Sequence, residues 1–375
     1  MKKSEKNKMK EKVCHMTSVH LRDDNRIVRK QCQSLLKEGF IVNLVVADGN
    51  GDEIKDGILI FDVVPTIGGR IKRFIFTSKR VYQKAKDLDC DIYHFHDPDL
   101  IRFGNRLLRA GKKVIYDVHE DVAKQTFSKD YIPKLLQPFL AFVIRLYENY
   151  YASKFSYIST ATAFINERFV KLNRNSVCIS NFPILNELVS SHDWSLKKNE
   201  IVYIGGIARI RGIVELIESL DKTKIMLNLA GDFENTELEE QCKSYINWKQ
   251  VNYSGFVNRE NVRKILENSR IGIVTFHPLP NHIDAQPNKM FEYMSASIPV
   301  IASNFPLWKS IIEGNNCGIC VNPKDPKEIA EAINYLIEND EIAKKMGENG
   351  RRAVMDKYNW ETEKEKLIAI YKSCS

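Results

Sequence analysis

"IGIVTFHPLPNHIDAQPNKMFEYMSASIPVIAS" occupies positions 271–303. It opens on a short β-branched run, 271–276, and closes on another apolar run, 298–303. Between them Pro287 suits the first turn of a helix, where its missing N–H costs nothing. Asn288 to Ala296 then reads as that helix. Strand, helix, strand is a βαβ unit, and such units build parallel sheets covered by helices.

The same alternation extends in both directions. Upstream lie "VCHMTSV" (13–19), "IVNLVVA" (41–47), "ILIFDVV" (58–64), "DIYHFH" (91–96), "KVIYDVH" (113–119) and "FSYIST" (155–160). Helical patterns separate most of them, such as 25–37 closed by Gly39 and 100–110 closed by Gly111. The second half repeats the style with "EIVYIGG" (200–206), "IMLNLAG" (225–231), "VNYSGF" (251–256), 271–276, 298–303 and "GICV" (318–321). Two doubly wound α/β domains are expected, facing across a cleft that holds a ligand at the strands' carboxyl ends. The aperiodic segment 180–200 marks the break. The reading is an N-terminal domain 1–183, a C-terminal domain 184–355, and a final helix 356–375 returning to the first domain.

Composition narrows the class. With 375 residues, 43% hydrophobic and 28% charged, the chain has ample material for two cores. Eight scattered cysteines suit a reducing cytosol better than a disulfide framework. The charged start "MKKSEKNKMKEK" has no apolar h-region behind it, so no secretory leader is expected. A net charge of +8 favours anionic partners such as nucleotides, phosphates or an anionic membrane face.

Two acids, Asp284 and Glu292, stand with seven residues between them in the opening stretch. The helix amino end, with Lys289, can hold a phosphate through free N–H groups and the dipole. Glu292 can accept hydrogen bonds from a ribose diol, and Asp284 from sugar hydroxyls. On spacing alone, an acidic loop residue and a helix-surface glutamate remain open.

These residues also carry a resemblance. "PNKMFEYMSASIPVIAS" resembles the donor-site segment of family 4 glycosyltransferases, with Asp284 where the first glutamate is usual. "YIGGIARIRGIVELIESL" (203–220) resembles the segment that binds the donor diphosphate. "HFHDPDL" (94–100), "YDVHED" (116–121) and "MTSVHLRDDNRI" (16–27) resemble strand ends and the first turn of the acceptor domain. "FPLWKSIIEGNNCGICVNPKDPKEIAEAI" (305–333) resembles the C-terminal core. The resemblance implies a GT-B fold and a retaining hexosyl- or N-acetylhexosaminyl-transferase of polysaccharide biosynthesis. Its donor would be a nucleotide diphosphate sugar, and its acceptor a glycan or lipid-linked sugar. The rivals are a nucleotide-sugar epimerase of the same fold and an inactive transferase-like partner subunit.

The resemblance implies roles for single residues. His119 would orient the transferred sugar with Asp284. Arg211 would clamp the diphosphate, with Gly205, Gly206, Arg209, Asn288, Lys289 and Glu292 around the donor. The family's arginine position is Gly206 here, so Arg209 or Arg211 must supply the charge. His20, Arg22, Arg26 and His96 are expected on the acceptor or phosphate side. No metal is required in such a site, and "HFHDPD" reads as strand packing and cleft lining. The lone "CGIC" (317–320) reads as a buried strand. No basic stripe with interleaved aromatics points to nucleic acid. The apolar stretch "IPKLLQPFLAFVIRLYENYYASKF" (132–155) reads as a core helix, with an alternative lying at the lipid interface beside the basic N-terminus. The expected place is the cytoplasm, with possible peripheral contact at the inner membrane.

Overall fold

The computed structural model describes residues 10–128, 132–188 and 193–374. They form two compact units, 1–181 with 362–375, and 182–361. The last helix, Trp360–Cys374, therefore enters unit 1 from Thr362 onward.

In unit 1 the strands are β1 (Lys12–Met16), β2 (Ile41–Val46), β3 (Glu53–Lys55), β4 (Ile58–Asp62), β5 (Ile92–Phe95), β6 (Lys113–Val118), β7 (Tyr157–Thr160) and β8 (Ser176–Cys178). Their order is β3-β4-β2-β1-β5-β6-β7-β8, and only the β3–β4 pair is antiparallel. In unit 2 they are β9 (Glu200–Ile204), β10 (Met226–Ala230), β11 (Val251–Tyr253), β12 (Ile271–Val274), β13 (Val300–Ser303) and β14 (Gly318–Val321), in the order β11-β10-β9-β12-β13-β14. All pairs there are parallel. This is the doubly wound order in which the chain runs outward from a central first strand and then reverses. The reversal falls between β9 and β12 in unit 2, and between β1 and β5 in unit 1. Ligands of such sheets settle beyond the carboxyl ends of those strand pairs.

Alternation along the strands explains the double cover. Val202 and Val300 enter one core with Trp308 and Met290, while Ile201, Tyr203 and Ile301 enter the other with Leu216 and Ile333. Both faces are apolar because helices cover both. In unit 1, Tyr93, Phe95 and Tyr116 pack with Phe103, Phe155 and Phe169.

The core-helix reading of 132–155 is corrected. The helix Gln137–Ala152 buries Gln137, Ala141, Glu148 and Ala152 and leaves Phe139, Phe142 and Leu146 exposed. The apolar composition of the stretch pointed to a core, but these apolar side chains face outward.

Candidate functional site

Unit 2 brings its candidate residues to the reversal point. After β9 come Gly205 and Gly206, a tight turn over Arg209–Arg211, and the helix Ile213–Ser219. Gly212 links turn to helix with φ +73, and a Cβ there would lie 1.9 Å from the Thr275 carbonyl oxygen. Only glycine lets the turn press so closely against the end of β12. The close approach folds Arg211 back: its Nη1 donates to the Gly206 carbonyl at 3.0 Å, and its guanidinium lies 5.5 Å from the Phe276 ring centroid. A Cβ on Gly206 would meet Arg211 Nη1 at 2.9 Å. The glycine at the family's arginine position thus clears the space that Arg211 fills. Arg209 points elsewhere. Its N–H donates to Glu234 Oε1 and its guanidinium bonds the Gln241 side chain.

Lys289 sits one residue into the helix Asn288–Ser295, whose cap is Pro287, a residue earlier than expected. Its side chain is buried, and Nζ has no hydrogen-bond partner. Nζ lies 3.6 Å from the Tyr203 ring centroid, and a Cβ on Gly205 would be 3.4 Å from it. Burial pushes this ammonium well below the ordinary lysine value, and Arg211 pushes it further, while Glu292 opposes both. The buried Thr275 hydroxyl also lacks a partner. A buried cation without an acceptor is costly. Two cations and an unbonded hydroxyl around two glycines form a place that an anion would satisfy.

Glu292 is buried, and its Oε1 accepts from Arg259 Nη1 at 2.8 Å. Arg259, at the start of the helix Arg259–Asn268, also donates to Glu187 at 3.1 Å. Sequence reasoning missed both partners, which come from separate segments. Asn288 is half-buried at the first helical position. Asp284 lies half-buried in a loop held by Ala285 N–H to the His282 carbonyl and by Trp308 Nε1–H to the Ala285 carbonyl at 2.7 Å. His277, at the end of the same reversal point, pairs with Glu215 at 3.0 Å and was likewise missed.

In unit 1 the candidate histidines join one buried network. Asp117 is fully buried on β6 and holds Arg26 bidentately, at 3.0 Å from Nε and 2.7 Å from Nη2. Gln31, Ser159, His96 and His119 also donate to it. Burial opposes its charge, but Arg26 and the histidines hold the carboxyl well below the ordinary range. With Asp117 ionised, the proton positions follow in sequence. His96 gives its Nδ1 proton to Asp117, so His96 Nε2 accepts from His15 Nδ1 at 2.9 Å. His15 Nε2 then accepts from the Tyr371 hydroxyl at 3.1 Å, which accepts from His94 Nδ1 at 2.7 Å. His94 Nε2 is left a lone acceptor without a donor. Burial lowers His15 and His96 well below the ordinary value and His94 to about 4, so all three are neutral near pH 7. His119 gives Nε2–H to Asp117 at 3.1 Å, and its other nitrogen is left as an acceptor.

Three expectations on the acceptor side are corrected here. Arg26 is buried against Asp117 and the Ile179 carbonyl, so it balances a buried carboxylate and does not meet an anion. Arg22 is spent on Asp48, at 2.5 Å, and on Glu53. His96 is buried and lines no surface. His20 and His119 retain access. Their rings lie 4.8 Å apart. Burial alone would lower His20, but Asp24 and Asp97 outweigh it and raise its pKa. Asp121 caps the helix Val122–Gln125 through Lys124 N–H. His15, His94 and His96, and His96, Asp117 and His119, lie close enough to surround a cation. Most of their nitrogens are already committed to the network, and Arg26 already neutralises Asp117. A dication would add uncompensated buried charge.

Residues 25–181 match the family described as Glycosyltransferase Family 4, and residues 186–353 match Glycosyl transferases group 1. The chain belongs to glycosyltransferase family 4. This family 4 chain spans about half the length of several curated relatives it matches. An O-antigen chain mannosyltransferase of Escherichia coli is 23% identical over 73% of this chain and 72% of its own. Among solved structures, a sucrose-phosphate synthase of Thermosynechococcus elongatus has a TM-score of 0.78 at 16% identity, covering 97% of this chain and 99% of that one. HepE of Anabaena, in complex with UDP, has a TM-score of 0.68 at 15% identity, covering 97% and 100%. Likeness at these identities speaks for the fold, which is GT-B.

Proposed function

We propose that the protein transfers a hexosyl or N-acetylhexosaminyl group, with retained configuration, from a nucleotide diphosphate sugar to a glycan or lipid-linked acceptor in polysaccharide biosynthesis. The observation that carries the reading is Lys289. Its buried, unpartnered ammonium faces Gly205 beside Arg211, at the reversal point of a doubly wound sheet. A diphosphate placed there would satisfy both cations at once. Leaving-group charge grows on that diphosphate as the glycosidic bond breaks, so donors fixed there act most strongly in the transition state. Arg211 can meet it bidentately. Glu292, held by Arg259, would take the ribose, and Asp284 the sugar. In unit 1, His119 would orient the sugar through the nitrogen that Asp117 leaves as an acceptor.

The names of similar proteins support the same direction. One is an O-antigen mannosyltransferase, one a capsular polysaccharide glycosyltransferase, and a neighbour of the same fold was solved with UDP-glucose. A place on the cytoplasmic face of the inner membrane, by peripheral contact, belongs to this reading.

Incubation with a pool of nucleotide sugars tests it. Transfer, or slow donor hydrolysis without acceptor, is expected. Isomerisation of a donor would make the protein an epimerase, and an untouched pool would make it a non-catalytic subunit. Activity should survive EDTA; a loss restored by manganese or magnesium would remove metal independence from the reading.

A further inference from the structure

The helix Gln137–Ala152 is inside out. Its inward positions 137, 141, 148 and 152 fall on one face of a 3.6-residue repeat and carry Gln, Ala, Glu and Ala. That polar face is satisfied. Glu148 accepts from the Tyr116 hydroxyl at 2.8 Å and from Arg168 at 2.5 Å, and Gln137 Nε2 donates to the Ile132 carbonyl. The outward face and the turn leading into it carry Leu135 at 91% exposure, Phe139 at 69%, Phe142 at 58%, Leu146 at 53% and Tyr150 at 59%. Isolated exposed apolar residues are ordinary, but a contiguous helical stripe of them is not.

Charge selects the occupant. From Ile132 to Phe155 the ionisable acids and bases are Lys134, Arg145, Glu148 and Lys154. Glu148 is buried and paired, so every exposed charge on the segment is positive. Lys134 precedes the helix, and Lys154 follows it with Nζ 3.5 Å from the Tyr150 ring centroid. Arg145, about half exposed, reaches Asp121 only at 3.7 Å. Apolar residues flanked by cations at both ends match a bilayer surface rich in anionic headgroups. A second copy docked face to face would oppose these cations with no acid on the stripe to meet them. Among the described residues no helix is long and apolar enough to cross a membrane. At 16 residues, this one would lie in the plane.

We propose that the outer face of Gln137–Ala152 is an in-plane anchor that inserts Phe139, Phe142 and Leu146 below the headgroups of an anionic bilayer, with Lys134, Arg145 and Lys154 at headgroup level. The inference deepens the membrane contact in the functional reading above, but its test uses no sugar and no donor.

The experiment is co-flotation of the full chain with vesicles of phosphatidylcholine, with and without phosphatidylglycerol. Binding to the anionic vesicles, weakened by salt, is expected. Phe139→Ser with Phe142→Ser should lower it by at least about tenfold, since each ring leaves its buried place in the lipid. Lys134→Glu with Lys154→Glu should remove most of its salt dependence. Both pairs point to solvent, so circular dichroism should match wild type; Leu146→Asp is a second apolar variant should the first misfold. No binding to anionic vesicles, or binding indifferent to all three variants, would overturn the anchor. A concentration-dependent dimer that the phenylalanine variants dissolve would replace it with a second copy. Donor hydrolysis measured without vesicles separates failure here from failure of the transferase reading.

Discussion

Arg211 and Lys289 divide between them a charge problem that neither solves alone. The guanidinium is held over Gly206, and the ammonium is buried behind Gly205. Removing one donor aimed at developing charge costs roughly a hundred- to a thousand-fold in rate. Arg211→Ala should fall in that range, and Arg211→Lys should recover part of it, because an ammonium cannot make the fork contact. Arg209 is turned to Gln241 and Glu234, so Arg209→Ala should be nearly normal. A crippled Arg209→Ala beside a normal Arg211→Ala would shift the clamp two residues earlier. For Lys289 the sign of the proton linkage is fixed by its surroundings. Burial, and then Arg211, depress its pKa in the free protein. A bound diphosphate would favour the charged form, so binding should take up a proton in neutral to alkaline buffer. Calorimetry of binding of the cognate nucleoside diphosphate in buffers of different ionisation heat measures that uptake. Equal heats in all buffers, or an uptake unchanged in Lys289→Met, would remove Lys289 from the phosphate.

At the scale of elements, Glu292 depends on a partner helix. The helix Asn288–Ser295 carries the carboxylate, and the helix Arg259–Asn268 supplies the guanidinium that fixes it. A charge-assisted hydrogen bond is worth about 1.5–3 kcal/mol. Glu292→Ala should therefore weaken binding of the cognate nucleoside diphosphate by at least roughly tenfold while the fold survives. Arg259→Ala should weaken it less, since the carboxylate remains but loses its orientation. Unchanged affinity in a folded Glu292→Ala would take it off the ribose. The elements themselves were largely legible. All twelve β-branched runs named from the sequence contain strands, because β-branched runs between glycine-closed helices fit little else. The three-residue strands β3 and β8 were not named, since "EIK" and "SVC" are too short for a period. Which way a helix faces was not legible either. The stripe of Phe139, Phe142 and Leu146 has the right spacing for a core, and only the sheet beneath, which receives Glu148 through Tyr116, decides that it faces out. For the same reason Arg22 and Arg26 looked like anion contacts. Their carboxylates, Asp48 and Asp117, lie far along the chain and are brought in by neighbouring strands.

For the whole molecule, the network from His94 to His119 implies a definite response to acid. His15, His94 and His96 are buried and neutral, with pKa values lowered by burial, that of His94 from 6.5 to about 4. Once unfolded, each would bind a proton near its ordinary value. Between about pH 6.5 and about 4 the unfolded chain therefore holds more protons than the folded one, and stability must fall as pH falls. His94 contributes roughly 1.4 kcal/mol per pH unit through that window, and His15 and His96 act in the same direction. His20 does not offset this. Its pKa is raised by Asp24 and Asp97, so below the ordinary value it is protonated in both states and adds no slope. Asp24 and Asp117 are depressed below the ordinary carboxyl value, and their contribution is lost only at still lower pH, in the same direction. Denaturant titration at several pH values through the window should show the steep loss. His94→Gln should lessen the slope by about one proton, because Gln can still donate to the Tyr371 hydroxyl but cannot titrate. A stability that is flat across the window, or a slope untouched by that substitution, would mean that the three imidazoles accept protons without leaving the fold, and that the directional chain from Tyr371 to Asp117 is wrong.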